Sequence, residues 1–121
     1  FVDEIRMDFS SYNGRPATSI AADAWVAGCA VLFDGLDATQ HSMTNPLVDV
    51  AEGGRRATQR MAMQAAHFLD GTEFTIGGWY QDSLVRTDEG WRIAEVVLNI
   101  TWRRGDESVM ATAVERSSNR G

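Results

Sequence analysis

Residues 61–82 read MAMQAAHFLDGTEFTIGGWYQD, two runs of alternating apolar and polar residues joined by Asp70-Gly71. Asp-Gly between such runs is a two-residue hairpin signal, because both central residues of that turn take a positive φ. With Asp70 and Gly71 at the centre, Leu69 opposes Thr72, His67 opposes Phe74, Met63 opposes Gly78 and Met61 opposes Tyr80. One face then collects Met61, Met63, Ala65, His67, Phe74, Ile76 and Tyr80. That face is apolar and is read as the inner one.

The pattern extends in both directions. Ile5, Met7 and Phe9 alternate with Glu4, Arg6 and Asp8, which predicts a first strand. After the turn residues Ser10 to Pro16, Thr18 or Ser19 is placed to cap a helix running to about Phe33, with Ile20, Trp25, Cys29 and Phe33 in its apolar stripe. Gly28, in the middle of that helix, is read as a point of close packing. A second strand spans Thr39 to Val50, a turn Ala51 to Gly54, and a third strand Arg55 to Phe68. The fourth strand runs from Thr72 to Thr87 and the fifth from Trp91 to Arg103, joined by Asp88-Glu89-Gly90. In the polar tail from Gly105 to Gly121, only Val109, Met110, Ala113 and Val114 suggest a short helix. One strand, one helix and a four-strand meander make an α+β domain over 1–121 in which a curved sheet wraps a helix. Gly77-Gly78 within a strand marks a bulge that lets the sheet curl around a pocket.

Composition narrows the chemistry. The chain has 2 histidines and 1 cysteine, and no position is lysine. Schiff-base chemistry and a lysine-bound pyridoxal cofactor are thereby excluded. Seventeen acidic residues against 11 basic ones give a net charge of -6, with no basic cluster to follow a phosphate backbone, so nucleic acid is not an expected partner. Neither a membrane-spanning run nor a signal peptide is read, Cys29 is read as a small core residue, and a reducing cytoplasm is the expected compartment. Two histidines without His-x-His or His-x-x-x-His spacing do not read as a metal site.

Proton chemistry near neutral pH therefore rests on His41 and His67. Folding the hairpin at residues 51–54 places His41 beside Met63, roughly 13 Å from the row of His67 at ~3.3 Å per residue. The two rings are expected not to touch. Asp37 and Asp82 are the candidate carboxylates to fix an imidazole tautomer; the alternative is a histidine satisfied by a backbone carbonyl. Tyr80 and Asn45 are candidates to orient a substrate oxygen. Asp82, facing inward near Gln59 and Asn45, is either a site residue or a partner for Arg60 or Arg86, since an unpaired buried carboxylate is costly.

Thr39-Gln40-His41, the upstream Asp8-Phe9-Ser10-Ser11, the inward His67, the run Gly77 to Asp82, and Gly90-Trp91-Arg92-Ile93 leading to Trp102 together resemble the SnoaL-like branch of the NTF2-like (cystatin-like) superfamily. The spacing is most similar to that of scytalone dehydratase-like members. The resemblance implies a cone-shaped α+β barrel with a deep apolar pocket, no cofactor, no metal, and assembly as a homodimer or homotrimer. It also implies a dehydratase, isomerase or cyclase moving protons next to a carbonyl of a hydrophobic polycyclic, aromatic or steroid-like molecule. His41 and His67 fall on the acid/base positions, and Asp82 is the candidate replacement for an aspartate that the family carries on a helix before the first strand. Phe9, Trp25, Met61, Met63, Tyr80 and Asn45 are the expected substrate contacts. Phe9 stands where those dehydratases carry a tyrosine that polarises the carbonyl. The competing readings are a non-catalytic ligand-binding or assembly module, and a small subunit of a larger oxygenase.

Overall fold

The computed structural model describes residues 1–120. The elements are β1 (Glu4–Asp8), α1 (Ser10–Asn13), β2 (Thr18–Ala21), α2 (Ala22–Gly35), β3 (Ala38–Val50), β4 (Arg56–Leu69), β5 (Thr72–Thr87), β6 (Gly90–Gly105) and α3 (Ser108–Arg120). Among these residues the strands form one sheet in the order β2-β1-β6-β5-β4-β3, with β1 parallel to β6 and the other neighbours antiparallel. The sheet is mixed, curved and open, with β2 and β3 as its edges.

The β4–β5 hairpin has the expected register from Leu69↔Thr72 through His67↔Phe74 to Met61↔Tyr80. Asp70 (φ 50) and Gly71 (φ 76) take the left-handed conformations that this turn requires. Met63, Ala65, His67, Phe74 and Ile76 are buried, and the intervening Gln64 and Phe68 are exposed. Curvature comes from bulges: Gly77↔Trp102 is followed by Gly78↔Ile100, so β6 carries Thr101 as an extra residue. A side chain at Gly77 would overlap the Trp102 indole, and one at Gly78 the Asn99 carbonyl. The Ser11 hydroxyl reaches from α1 into this stretch, donating to Leu98 O at 2.6 Å and accepting from Ile100 N–H at 2.9 Å.

Three expectations fail, each for a tertiary reason. Thr18 and Ser19 do not cap a helix; residues 18–21 pair with β1, Ile5↔Ile20 among them, and α2 starts at Ala22. Burial of Ile20 against Ile5, Met7 and Val96 prevails over the local capping preference. Gly28 is not a packing contact, since nothing lies within 4 Å of a Cβ placed there. The close approach is at Gly35, where a Cβ would overlap the Ala113 backbone of α3. Finally, the β3–β4 turn is longer than residues 51–54: Ala51 N–H donates to Arg56 O and Val50 opposes Ala57, and a bulge at Asn45-Pro46 takes back one residue of that offset. His41 therefore opposes Ala65, not Met63.

The polar tail contains more helix than its composition suggests. Val109 and Ala113 of α3 are buried in the cluster of Leu36, Met63, Leu69, Phe74 and Leu98. The corner before β3 holds the arrangement through Asp37, whose Oδ2 accepts the Asp70 N–H at 2.7 Å while Oδ1 accepts from Arg116 of α3 at 2.9 Å. The Asp70 bond, reinforced by Arg116, keeps the Asp37 carboxyl below the usual carboxylate range. The two glycines of α2 give opposite expectations. Gly28→Ala should stabilise the protein by about 0.5–1 kcal/mol through helix propensity, and Gly35→Ala should destabilise it by about 1–3 kcal/mol through overpacking. Urea denaturation of both variants checks the pair.

Candidate active site

His67 projects from β4 into the concave side of the sheet and is 2% exposed. Its Nδ1 lies 2.9 Å from the Phe74 carbonyl oxygen. A carbonyl only accepts, so the network assigns the proton to Nδ1 and leaves a lone pair on Nε2. His41, on the edge strand β3, is the diagonal neighbour of His67, because Thr39 opposes His67 and His41 opposes Ala65. Their ring centroids are 5.4 Å apart at an interplanar angle of 77°, and the Phe33 ring flanks His41 on another side, also at 5.4 Å. The expectation of two separated histidines is thus overturned, and the two-residue difference in β3 register is the reason.

Burial pushes both imidazoles below their ordinary pKa. The charge of His67 adds to this effect at His41, and the Phe74 carbonyl partly offsets it at His67. Two touching rings resist carrying two protons, so at neutral pH the pair holds neutral imidazole. Neither candidate carboxylate fixes a tautomer. Asp37 is engaged at the Asp70 turn, and Asp82 lies three rows from His41, roughly 20 Å along β4 at ~3.3 Å per residue. The Phe74 carbonyl does that work at His67.

Further down the same wall is a cavity of about 240 Å³, lined among others by Phe9, Trp25, Met43, Met61, Tyr80 and Asp82. The hairpin register and sheet curvature bring these side chains together from β1, α2, β3, β4 and β5. Phe9 and Trp25 meet edge to face at 5.2 Å. Burial pushes the Tyr80 hydroxyl up to about 12, with the Asp82 charge adding, so Tyr80 stays a hydrogen-bond donor. Asp82 is 4% exposed, and Gln59 Nε2–H donates to its Oδ2 at 2.7 Å. Desolvation raises the Asp82 carboxyl, opposed by the Gln59 bond. Arg60 is not its partner, since that guanidinium stacks over Trp79 at 3.8 Å. Nor does Arg86 form an ion pair with it among the described residues.

Of the residues expected at the site, Phe9, Trp25, Met61, Tyr80 and Asp82 share the cavity, and the two histidines form a separate pair above it. Met63 is buried in the core between these regions, and Asn45 is exposed at the β3 bulge with φ 54. Met43, Gln59 and Phe33 are additions. Parity with His41 could have identified Met43, and the hairpin register opposite Asp82 could have identified Gln59. Nothing in the sequence pattern pairs Phe33 with His41. No group of three or more His, Cys, Asp or Glu able to hold a metal gathers among the described residues, and no helix among them is long and apolar enough to cross a membrane.

Comparison with known proteins places this geometry. Kfla4162 of Kribbella flavida superposes with a TM-score of 0.81 at 26% identity, over 91% of this chain and 77% of that one. A candidate scytalone dehydratase from Novosphingobium aromaticivorans superposes at 0.70 with 19% identity, over 88% and 70% of the two chains. The hexachlorocyclohexane dehydrochlorinase LinA-type3 of Novosphingobium barchaimii gives 0.64 at 12% identity, over 87% and 70%. At such identities the latter two show the fold alone, which is NTF2-like. No curated protein matches the sequence. The SnoaL-like domain, however, matches residues 1–97 of the 121, and the chain belongs to that family.

Proposed function

We propose that the protein is a cofactor-independent acid/base enzyme, a dehydratase or isomerase in type, that moves a proton next to a carbonyl of an apolar ring-containing molecule. The observation that carries this reading is the His41–His67 contact, with the His67 tautomer fixed by Phe74. A neutral imidazole with a free Nε2 lone pair is a proton acceptor, so His67 takes the α-proton. The protonated His67 passes this proton to the neutral ring of His41, in contact with it and open to solvent on the edge strand, and His41 delivers it to the developing oxygen or leaving group. Tyr80 is two rows below His41, roughly 13 Å along β4 at ~3.3 Å per residue. Its hydroxyl therefore holds a part of the molecule away from the reacting carbon.

Met43 on β3, opposite the buried Met63 on β4, lies between the cavity and His41. It is unbranched and 46% exposed, and in the proposed reaction it moves aside for the molecule to reach the histidines. A cavity of about 240 Å³ is smaller than the ~300–1,000 Å³ typical of drug-sized ligands. That size suits one or two rings held in the cavity itself, with a further part of the molecule extending past Met43 to the histidines. The second reading, a ligand-binding module without chemistry, is favoured by Phe9. Its ring packs on Trp25 and has no hydroxyl to polarise a carbonyl.

Deuterium exchange at the α-carbon of 2-tetralone, followed by NMR in D2O, separates the readings. Wild type should accelerate exchange, and His67→Ala and His41→Ala should each lower the rate about 10²-fold or more. Equal rates in all three proteins would leave only the binding module.

The pH dependence has a defined sign. Both histidine pKa values lie below the ordinary value, so the exchange rate should rise with pH as the catalytic neutral form appears, with a midpoint below the ~6.5 of a free imidazole. The same depression means that the unfolded chain takes up protons before the folded one. The histidines' contribution to stability is then intact above about pH 6.5 and is lost as pH falls through the folded pKa values. Histidine NMR titration with both midpoints below that of a free imidazole, and a urea midpoint that falls from pH 7 to pH 5, are the expected results.

A further inference from the structure

We propose that Asp82 and Gln59 form the recognition end of the cavity and select molecules that carry an uncharged oxygen group, hydroxyl or carbonyl, at the end remote from the histidines. The inference rests on reading this cavity as the substrate site, and it adds what the substrate must carry there.

Four features of the molecule support it. Asp82 is a nearly fully buried carboxyl, at 4% exposure, on the wall of an otherwise largely apolar cavity. Among the described residues its one side-chain hydrogen bond comes from Gln59, to Oδ2. Oδ1 has no such bond, yet no buried side-chain oxygen is left without a partner among those residues, so Oδ1 is open to the cavity. The Asp82 row lies three rows from His41, so a molecule held at Asp82 meets the histidines only with its other end.

The class of group follows from the surroundings. Phe9, Trp25 and Met61 offer no countercharge to an anion placed beside Asp82, and a carboxylate or phosphate there would meet a second acid in an apolar setting. Burial holds Asp82 toward its neutral form. Oδ1 accepts the single hydrogen of a hydroxyl, and in the protonated carboxyl the O–H donates to a carbonyl, whereas an ammonium brings three N–H donors to one free acceptor among apolar walls and leaves the others unsatisfied. Gln59 occupies Oδ2 and so directs the ligand oxygen to Oδ1.

Calorimetric titration of the full chain at pH 7 with naphthalene, 2-naphthol, 2-naphthoate and (2-naphthyl)methylammonium tests this. Wild type should bind 2-naphthol on the order of tenfold more tightly than naphthalene, the gain of one good hydrogen bond, and more tightly than either ion. Asp82→Leu should abolish the difference between naphthol and naphthalene. Should that variant fail to fold, wild type labelled with ¹³C at aspartate Cγ, with Asp82 assigned through Asp82→Asn, gives the same information. The Asp82 resonance should move with 2-naphthol and stay in place with naphthalene. Equal affinity for the two, no binding of either, tighter binding of an ion, or a preference that survives Asp82→Leu would overturn the proposal. Failure of the acid/base reading has a different signature: tetralone exchange independent of the histidines, with the naphthol preference intact.

Discussion

The register of the β4–β5 hairpin is the constraint on which the rest depends. A strand repeats every two residues, so one turn geometry at Asp70-Gly71 decides which side chains of two long strands face inward. Both turn residues sit at positive φ, and Asp37 fixes the turn by accepting the Asp70 N–H. From there the ladder carries His67 against Phe74, Met61 against Tyr80 and Gln59 against Asp82 on one face. A slip of a single residue would put all of these toward solvent. The same aspartate binds Arg116, so the turn, the corner before β3 and the C-terminal helix are fixed by one carboxylate.

That wall has two polar ends separated by methionine and aromatic side chains. At one end a buried imidazole and a solvent-facing one meet ring to ring, a contact that disfavours charge on both. At the other, burial pushes a carboxyl and a tyrosine hydroxyl above their ordinary ranges. Leaving polar groups in such places is costly unless each has a partner. His67 finds one in the Phe74 carbonyl and Asp82 finds one in Gln59, each on a neighbouring strand. Each also retains an atom that its protein partner does not occupy, Nε2 in one case and Oδ1 in the other.

Much of the fold and part of the site were legible in the sequence. The four-strand meander, the hairpin pairs and the bulge at Gly77-Gly78 follow from alternation and turn chemistry, which are local. Phe9, Met61, Tyr80 and Asp82 could be placed on the inner face by strand alternation, and Trp25 by the apolar stripe of its helix. The β2 strand was not legible, because Thr18 and Ser19 suit a helix cap and only the partner strand β1 decides otherwise. The roles of Gly28 and Gly35 were not legible either, since which glycine meets α3 depends on how two helices far apart in sequence cross.

The sequence by itself determined the α+β class, the tight turn at Asp70-Gly71, the inner face of the central hairpin and the scarcity of proton-exchanging side chains. All of these depend on residue type and short-range spacing. Only the tertiary structure decided that His41 touches His67, that the Phe74 carbonyl fixes the His67 tautomer and that Asp82 takes its hydrogen bond from Gln59, its neighbour in the hairpin register, and not from Arg60 or Arg86. The β3–β4 connection spans several residues with two left-handed glycines, and the Asn45-Pro46 bulge precedes it in β3. Spacing alone does not fix the register across such a connection. Packing the whole sheet around its concave core does, because there each offset changes which side chains are buried together.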